Sequence, residues 1–239
     1  QTTRAKMKHA LLAAAIILAS SVVFADAASV LLDADKVRGM SVEEYDTAVR
    51  SAPDVSVRDK DGATPLHFAA AVGTPDKIAA LVKAGADVEA RGKDGRTPMH
   101  DAAERGRPAN IATRAIAGAR VDARDDAWRT PLHDAAEYGT PSNIAMLVSL
   151  VANIDAHDKD GATPLHLAAA YGTPDNIAAL LEGGASGSMK DGDGKTPFDL
   201  ARRNDKIKGT AAYRALDDAQ KQVSVGEHHG HTPEASSIG

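Results

Sequence analysis

The chain contains no cysteine, which excludes disulfide cross-links, thiolate metal sites, a cysteine nucleophile and lipid attached to a thiol. Aromatic residues make up only 3% of its 239 residues, with a single Trp. A core must therefore be packed from Ala, Leu, Ile and Val. Positive charge is not in surplus: 28 basic side chains face 33 acidic ones, a formal charge of −5. That balance argues against nucleic acid as a partner, because binders of polyphosphate carry a basic excess. No Ser stands in a nucleophile elbow, no Gly-rich phosphate loop follows a strand, and no His-Glu-x-x-His run occurs. The chain is accordingly expected not to be an enzyme. What it does have is 43% hydrophobic residues, enough for a sizeable core in one or two domains.

The first segment reads as an export signal. Lys8 and His9 follow Met7, the expected initiator, and an apolar stretch runs from Ala10 through Phe24. Small residues close it, so that cleavage is expected after Ala25 or Ala27. A membrane anchor needs about 20 apolar residues, whereas residues 10–25 number sixteen, two of them Ser, before the charged Asp26. The processed chain should keep no stable anchor and should reside in the periplasm, or alternatively outside the cell. Removing Arg4, Lys6 and Lys8 with the leader shifts the formal charge from −5 to −8.

The rest is periodic. Thr64-Pro65-Leu66-His67 recurs as Thr97-Pro98-Met99-His100, Thr130-Pro131-Leu132-His133 and Thr163-Pro164-Leu165-His166, with an altered copy at Thr196-Pro197-Phe198-Asp199, always 33 residues on. A fixed period of this length marks a repeat architecture. Thr suits a helix N-cap, its hydroxyl accepting from an orphan N–H, and Pro suits the first helical position. The first helix should run from about Pro65 to Val72 and stop at Gly73 as a left-handed cap. Thr74-Pro75 restarts a second helix carrying Ile78, Leu81 and Val82 as one apolar stripe, closed by Gly85. The stripe returns as Ile144, Leu147, Val148 and as Ile177, Leu180, Leu181. Asp59-Lys60-Asp61-Gly62 and its equivalents read as turn tips.

A β-turn plus helix–turn–helix unit with a Thr-Pro-Leu-His-x-Ala-Ala motif resembles the ankyrin repeat. The resemblance covers 59–208 and implies an all-α ankyrin-repeat solenoid whose units each bury their apolar face against a neighbour. The expected division is a signal peptide (1–25), a degenerate N-capping repeat (26–58), repeats at 59–91, 92–124, 125–157 and 158–190, a C-capping repeat (191–222) and a disordered tail (223–239). In the capping repeat Tyr45, Ala48 and Val49 precede Ile78, Leu81 and Val82 by 33 residues. Three departures stand out. Val151 replaces a closing Gly, so that helix end is strained or longer. Arg107 replaces a capping Thr, and Trp128 stands at a turn tip where other units have Gly.

The motif histidines are assigned to holding the backbone of adjacent turns, since successive copies on helices about 8–10 Å apart cannot share one metal ion. The Asp-x-Asp-Gly tips lack the alternating oxygen ligands of a calcium loop. Asp101 with Glu104, and Asp134 with Glu137, share a helical face and read as a solvated charged ridge. His228, His229 and His231 offer imidazoles for Zn²⁺ or Cu²⁺, but the signal is compositional, and no cofactor is expected.

In the family resembled, partners dock on the concave face formed by turn tips and short first helices. Carried onto this chain, that face includes Arg96, Arg105, Asp126, Trp128, Arg129, Glu137, Tyr138 and Tyr171. Trp, Tyr and Arg dominate interface hot spots. The expected function is a monomeric, exported scaffold that binds another protein through this aromatic and cationic patch, similar to small periplasmic ankyrin-repeat proteins of bacteria. The alternatives are a metal-handling protein using the tail histidines and a secreted effector acting on a host protein.

Overall fold

The computed structural model describes residues 27–221. The expected leader and the tail with His228, His229 and His231 lie outside the described residues. The chain parts into two compact units, Gln1–Asp126 and Ala127–Gly239. The division falls in the turn tip of the third repeat. Among the described residues there is no β-strand, and no helix is long and apolar enough to cross a membrane.

In the first unit a helical turn at 27–31 leads into α1 (Ala34–Gly39) and α2 (Val42–Ser51). Two repeats follow, α3 (Pro65–Val72) with α4 (Pro75–Lys83), then α5 (Pro98–Arg105) with α6 (Pro108–Ile116). First helices pack on first helices, α1 on α3 on α5, and second on second, α2 on α4 on α6. The second unit repeats this order with α7 (Pro131–Glu137), α8 (Pro141–Ser149), α9 (Pro164–Ala170), α10 (Pro174–Glu182), α11 (Pro197–Ala201) and α12 (Ala211–Lys221). There α7, α9 and α11 form one row and α8, α10 and α12 the other.

Packing explains the composition. Ala69, Ala70, Ala102, Ala103, Ala135, Ala136, Ala168 and Ala169 are fully buried, because only a methyl group fits where short first helices face each other. Ile78, Leu81, Ile144, Leu147, Ile177 and Leu180 are also fully buried, as the stripe requires, while Val82, Val148 and Leu181 are half-buried at its edge. In the N-terminal unit Tyr45 fills the place of Ile78. Helix α2 starts at Ser41, whose hydroxyl accepts from the Glu44 N–H while Glu44 returns to the Ser41 N–H, a capping box in place of Thr-Pro.

The structure adds a partner to the reading of one helix end, corrects a second and decides a third. The motif threonine hydroxyl pairs with an imidazole: Thr64 Oγ1 lies 2.9 Å from His67 Nδ1, and the Thr64 N–H donates to the same nitrogen at 3.0 Å. The expected cap forms at two of the second helices, where Thr140 and Thr173 accept from the Asn143 and Asn176 N–H groups at 3.2 Å, and at Thr196, which accepts from the Asp199 N–H at 3.3 Å. Gly73 is no left-handed cap, since its backbone is extended (φ −80°). Glycine is needed there because a Cβ would sit 2.6 Å from the Ala69 carbonyl oxygen, and Gly106 and Gly172 are hemmed in by Ala102 and Ala136 at the same distance. Left-handed backbone closes the second helices instead, at Gly85, Gly118 and Gly184 (φ 89° to 93°), and Val151 adopts it too (φ 63°). Helix α8 has the same nine residues as α4, α6 and α10. The third repeat's helix end is strained rather than longer.

Candidate protein-interaction surface

Three of the turn tips are built by their own aspartate. Asp59 Oδ1 accepts from the Asp61 and Ala63 N–H groups at 2.9 and 2.8 Å, and Asp158 and Asp191 do the same in their repeats. Tips are then tied to their neighbours within each unit. The Asp126 N–H donates to the Asp94 carbonyl at 2.9 Å, Lys159 to Ala127 at 3.0 Å and Gly192 to Asp160 at 2.7 Å. The motif histidines brace the same rows, as the sequence implied. His67 Nε2 meets the Arg96 carbonyl at 3.2 Å, His133 that of Ala162 at 3.1 Å and His166 that of Lys195 at 3.1 Å. Because Nδ1 accepts from a backbone N–H, the proton sits on Nε2 and points at the carbonyl. Burial pushes His67 down to about 4, against the opposing pull of the Arg96 carbonyl. Burial likewise lowers His166.

A polar constellation recurs only in the two middle repeats. Arg96 reaches back from its tip to Glu104 at 2.6 Å and Asp101 at 3.4 Å, and 33 residues on Arg129 reaches Glu137 at 2.6 Å and Asp134 at 3.1 Å. The solvated ridge is therefore wrong for these carboxylates. Asp134 is fully buried, Glu137 and Glu104 are largely covered, and burial pushes Asp101 up to about 6 although Arg96 pulls the other way. The guanidinium folds over the helix and lies within ion-pair distance of both acids, so that the three groups leave water together. Other repeats have Ala63, Phe68, Ala71 or Ala162, Leu167, Ala170 at these positions.

The expected docking residues thus divide. Arg96, Arg129 and Glu137 are engaged within the protein. Asp126 pairs with Arg91 at 2.9 Å on the surface. Arg105 is exposed, with its Nε on Glu104 at 2.8 Å. In the second unit Tyr138 and Tyr171, the C-cap residues of equivalent first helices, are 61% and 62% exposed. Trp128 is 53% exposed and keeps the left-handed backbone (φ 63°) that Gly62, Gly95, Gly161 and Gly194 have at their tips (φ 71° to 77°).

Two buried cations were not read from the sequence, although the register held the signal. Arg114 occupies the place of Leu81, Leu147 and Leu180 and is fully buried. Its Nη2 donates to the Val88 carbonyl at 2.8 Å, while Nε and Nη1 have no partner among the described residues. Burial lowers it to about 10, so it remains a cation at neutral pH. Lys77 stands where later repeats have Asn110 and Asn176. Its Nζ donates to the Val37 and Met40 carbonyls at 2.6 Å each, and Asn176 Nδ2 donates to Ala136 and Gly139 at 3.1 and 3.3 Å. Both close the end of the preceding first helix, whose last carbonyls have no helical partner. Among the described residues no group of three or more His, Cys, Asp or Glu side chains is placed to hold a metal ion.

These features define a helical repeat protein: 33-residue units whose four central copies each have a turn tip, a short first helix held by a Thr–His box and a second helix. A family model described as Ankyrin repeats (3 copies) matches residues 40–125, 109–191 and 132–212. The chain belongs to the ankyrin-repeat family, whose repeats form scaffolds for protein–protein interaction. No curated protein matched the sequence.

Proposed function

We propose that this chain is an exported, non-catalytic scaffold that binds another protein through the concave face of its repeats. The observation that carries this reading is the pair Tyr138 and Tyr171, placed 33 residues apart at one register and 61% and 62% exposed. Large aromatic side chains left in water, with Trp128 in the same unit, are disfavoured unless a partner covers them. The periplasmic address rests on the charged start, apolar middle and small-residue close of residues 8–25.

The test is photocrosslinking in living cells from position 171, with and without Trp128→Ala and Tyr138→Ala. A discrete adduct that the double variant loses, with the helical melting curve unchanged, supports the docking site, and undiminished capture refutes it. Fractionation with N-terminal sequencing checks the address: a mature chain beginning at Asp26 or Ala28 in the periplasmic fraction is expected.

A further inference from the structure

Three arginines in the first unit converge on one cleft of about 340 Å³. Arg38 comes from α1, Arg105 ends α5 and Arg107 precedes α6, over a floor that includes Ala71, Val72 and Gly73. Among the described residues no carboxylate lines this cleft. The arginines keep donors in reserve. Arg38 uses Nη1 on Asp35 at 3.1 Å, a pair exposed on both sides, and such pairs are weak. Arg105 uses Nε, on a Glu104 already held by Arg96, and among the described residues its two terminal nitrogens have no partner. Among the described residues Arg107 has no side-chain hydrogen bond or ion pair.

Arg107 also runs against local energetics. It stands at the N-cap of α6, where α8 and α10 have a threonine oxygen accepting from the helix. A cation beside the positive end of a helix is unfavourable, and sequences break such local rules chiefly at functional positions.

We propose that this cleft is a second docking site of the scaffold, and that its occupant is an acidic, extended segment of a protein partner. The inference rests on the protein-binding reading above. Charge complementarity selects the occupant, because three guanidinium groups with free donors and no lining carboxylate match carboxylates that each accept several N–H bonds. A floor of small residues lets backbone lie close. Crossing the row of first helices, spaced about 8–10 Å apart, takes about six residues of extended chain. Acidic side chains near both ends of such a segment reach Arg38 and the Arg105–Arg107 pair.

The experiment is display selection of random twelve-residue peptides on the full chain, with affinities of the selected peptides measured by fluorescence anisotropy. Enrichment of Asp and Glu is expected. Affinity should fall about tenfold in Arg38→Gln with Arg105→Gln and Arg107→Gln, and should weaken with salt. Arg107→Thr alone should weaken binding a few-fold while installing the threonine cap of the neighbouring repeats, so loss of fold cannot account for it. Selected peptides without acidic bias, or acidic peptides indifferent to all these variants, overturn the proposal. Peptides sensitive only to Tyr138→Ala with Tyr171→Ala overturn the cleft and leave the protein-binding reading standing. Phosphatidylglycerol vesicles sedimenting with the wild type but not the triple variant, with no peptide selected, also overturn it by making the occupant a lipid surface. Failure of the photocrosslinking test together with an empty peptide selection removes both readings.

Discussion

Val151→Gly should make this protein more stable, although it deletes a side chain and adds chain entropy. Val151 holds φ 63°, the conformation that Gly85, Gly118 and Gly184 hold in the other repeats. An L-residue there costs about 1–2 kcal/mol, and a β-branched side chain sits at the high end. Its side chain is 87% exposed. Full burial of Val is worth about 1.5–3 kcal/mol, so the buried remainder contributes only a few tenths. Glycine makes the unfolded chain more flexible, which costs about 0.4–1 kcal/mol. The balance is a gain of about 0.5–1 kcal/mol, or a rise in Tm of about 1–4 °C for a chain of this length. Urea unfolding and calorimetry on wild type, Val151→Gly and Val151→Ala measure it. Ala keeps the left-handed backbone and removes only the β-branch, so Val151→Ala should gain less than Val151→Gly. Gly184→Ala is the reverse test: a Cβ there meets nothing within 4 Å at φ 93°, and the loss should be about 1 kcal/mol from backbone alone. If Val151→Gly gains nothing and Gly184→Ala loses nothing, the left-handed position carries no penalty and the argument fails.

Three further outcomes are expected. Arg114→Leu restores the residue of neighbouring repeats at a fully buried position and should stabilise by about 1–4 kcal/mol, and a lower urea midpoint would contradict it. Lys77→Met leaves the Val37 and Met40 carbonyls without their donor and should cost about 2 kcal/mol, whereas Lys77→Asn, copying Asn110 and Asn176, should cost less, so equal losses would refute the shared role. His67 should titrate near 4 in an NMR pH series, against an ordinary value near 6.5. The unfolded chain then binds a proton below 6.5 that the folded one refuses until about 4. This group's share of stability, roughly 3 kcal/mol when complete, is lost as pH falls across that window. Asp101, pushed up to about 6, acts in the opposite sense, taking up protons more readily when folded and stabilising as pH falls below 6. Asp101→Asn should therefore steepen the acid loss, and an unchanged slope would show that its burial is overstated.

Much of the architecture was legible because it is local and recurs. Thr-Pro starts, glycine stops and an i, i+3, i+4 apolar stripe are decided within one turn of helix, and five copies at one spacing make the register plain. The motif histidine was legible for the same reason, its place in the repeat implying a partner in the next turn. Gly73 misled because glycine serves two needs that sequence does not separate, positive φ and close backbone approach. The acids at 101, 104, 134 and 137 misled because helical spacing gives the face they share and not what lies over it.

The order of helices, the turn tips and the membership of the repeat were thus set by the sequence alone, through short-range backbone and capping preferences that need no distant partner. Tertiary structure alone decided which charges face water. Whether the Arg129 side chain folds over Asp134, whether the Arg114 guanidinium finds a carboxylate in hydrogen-bond reach, and whether three arginines frame one cleft depend on where side chains are brought together in space. Desolvation acts on that assembled neighbourhood, and no periodicity in the chain records it.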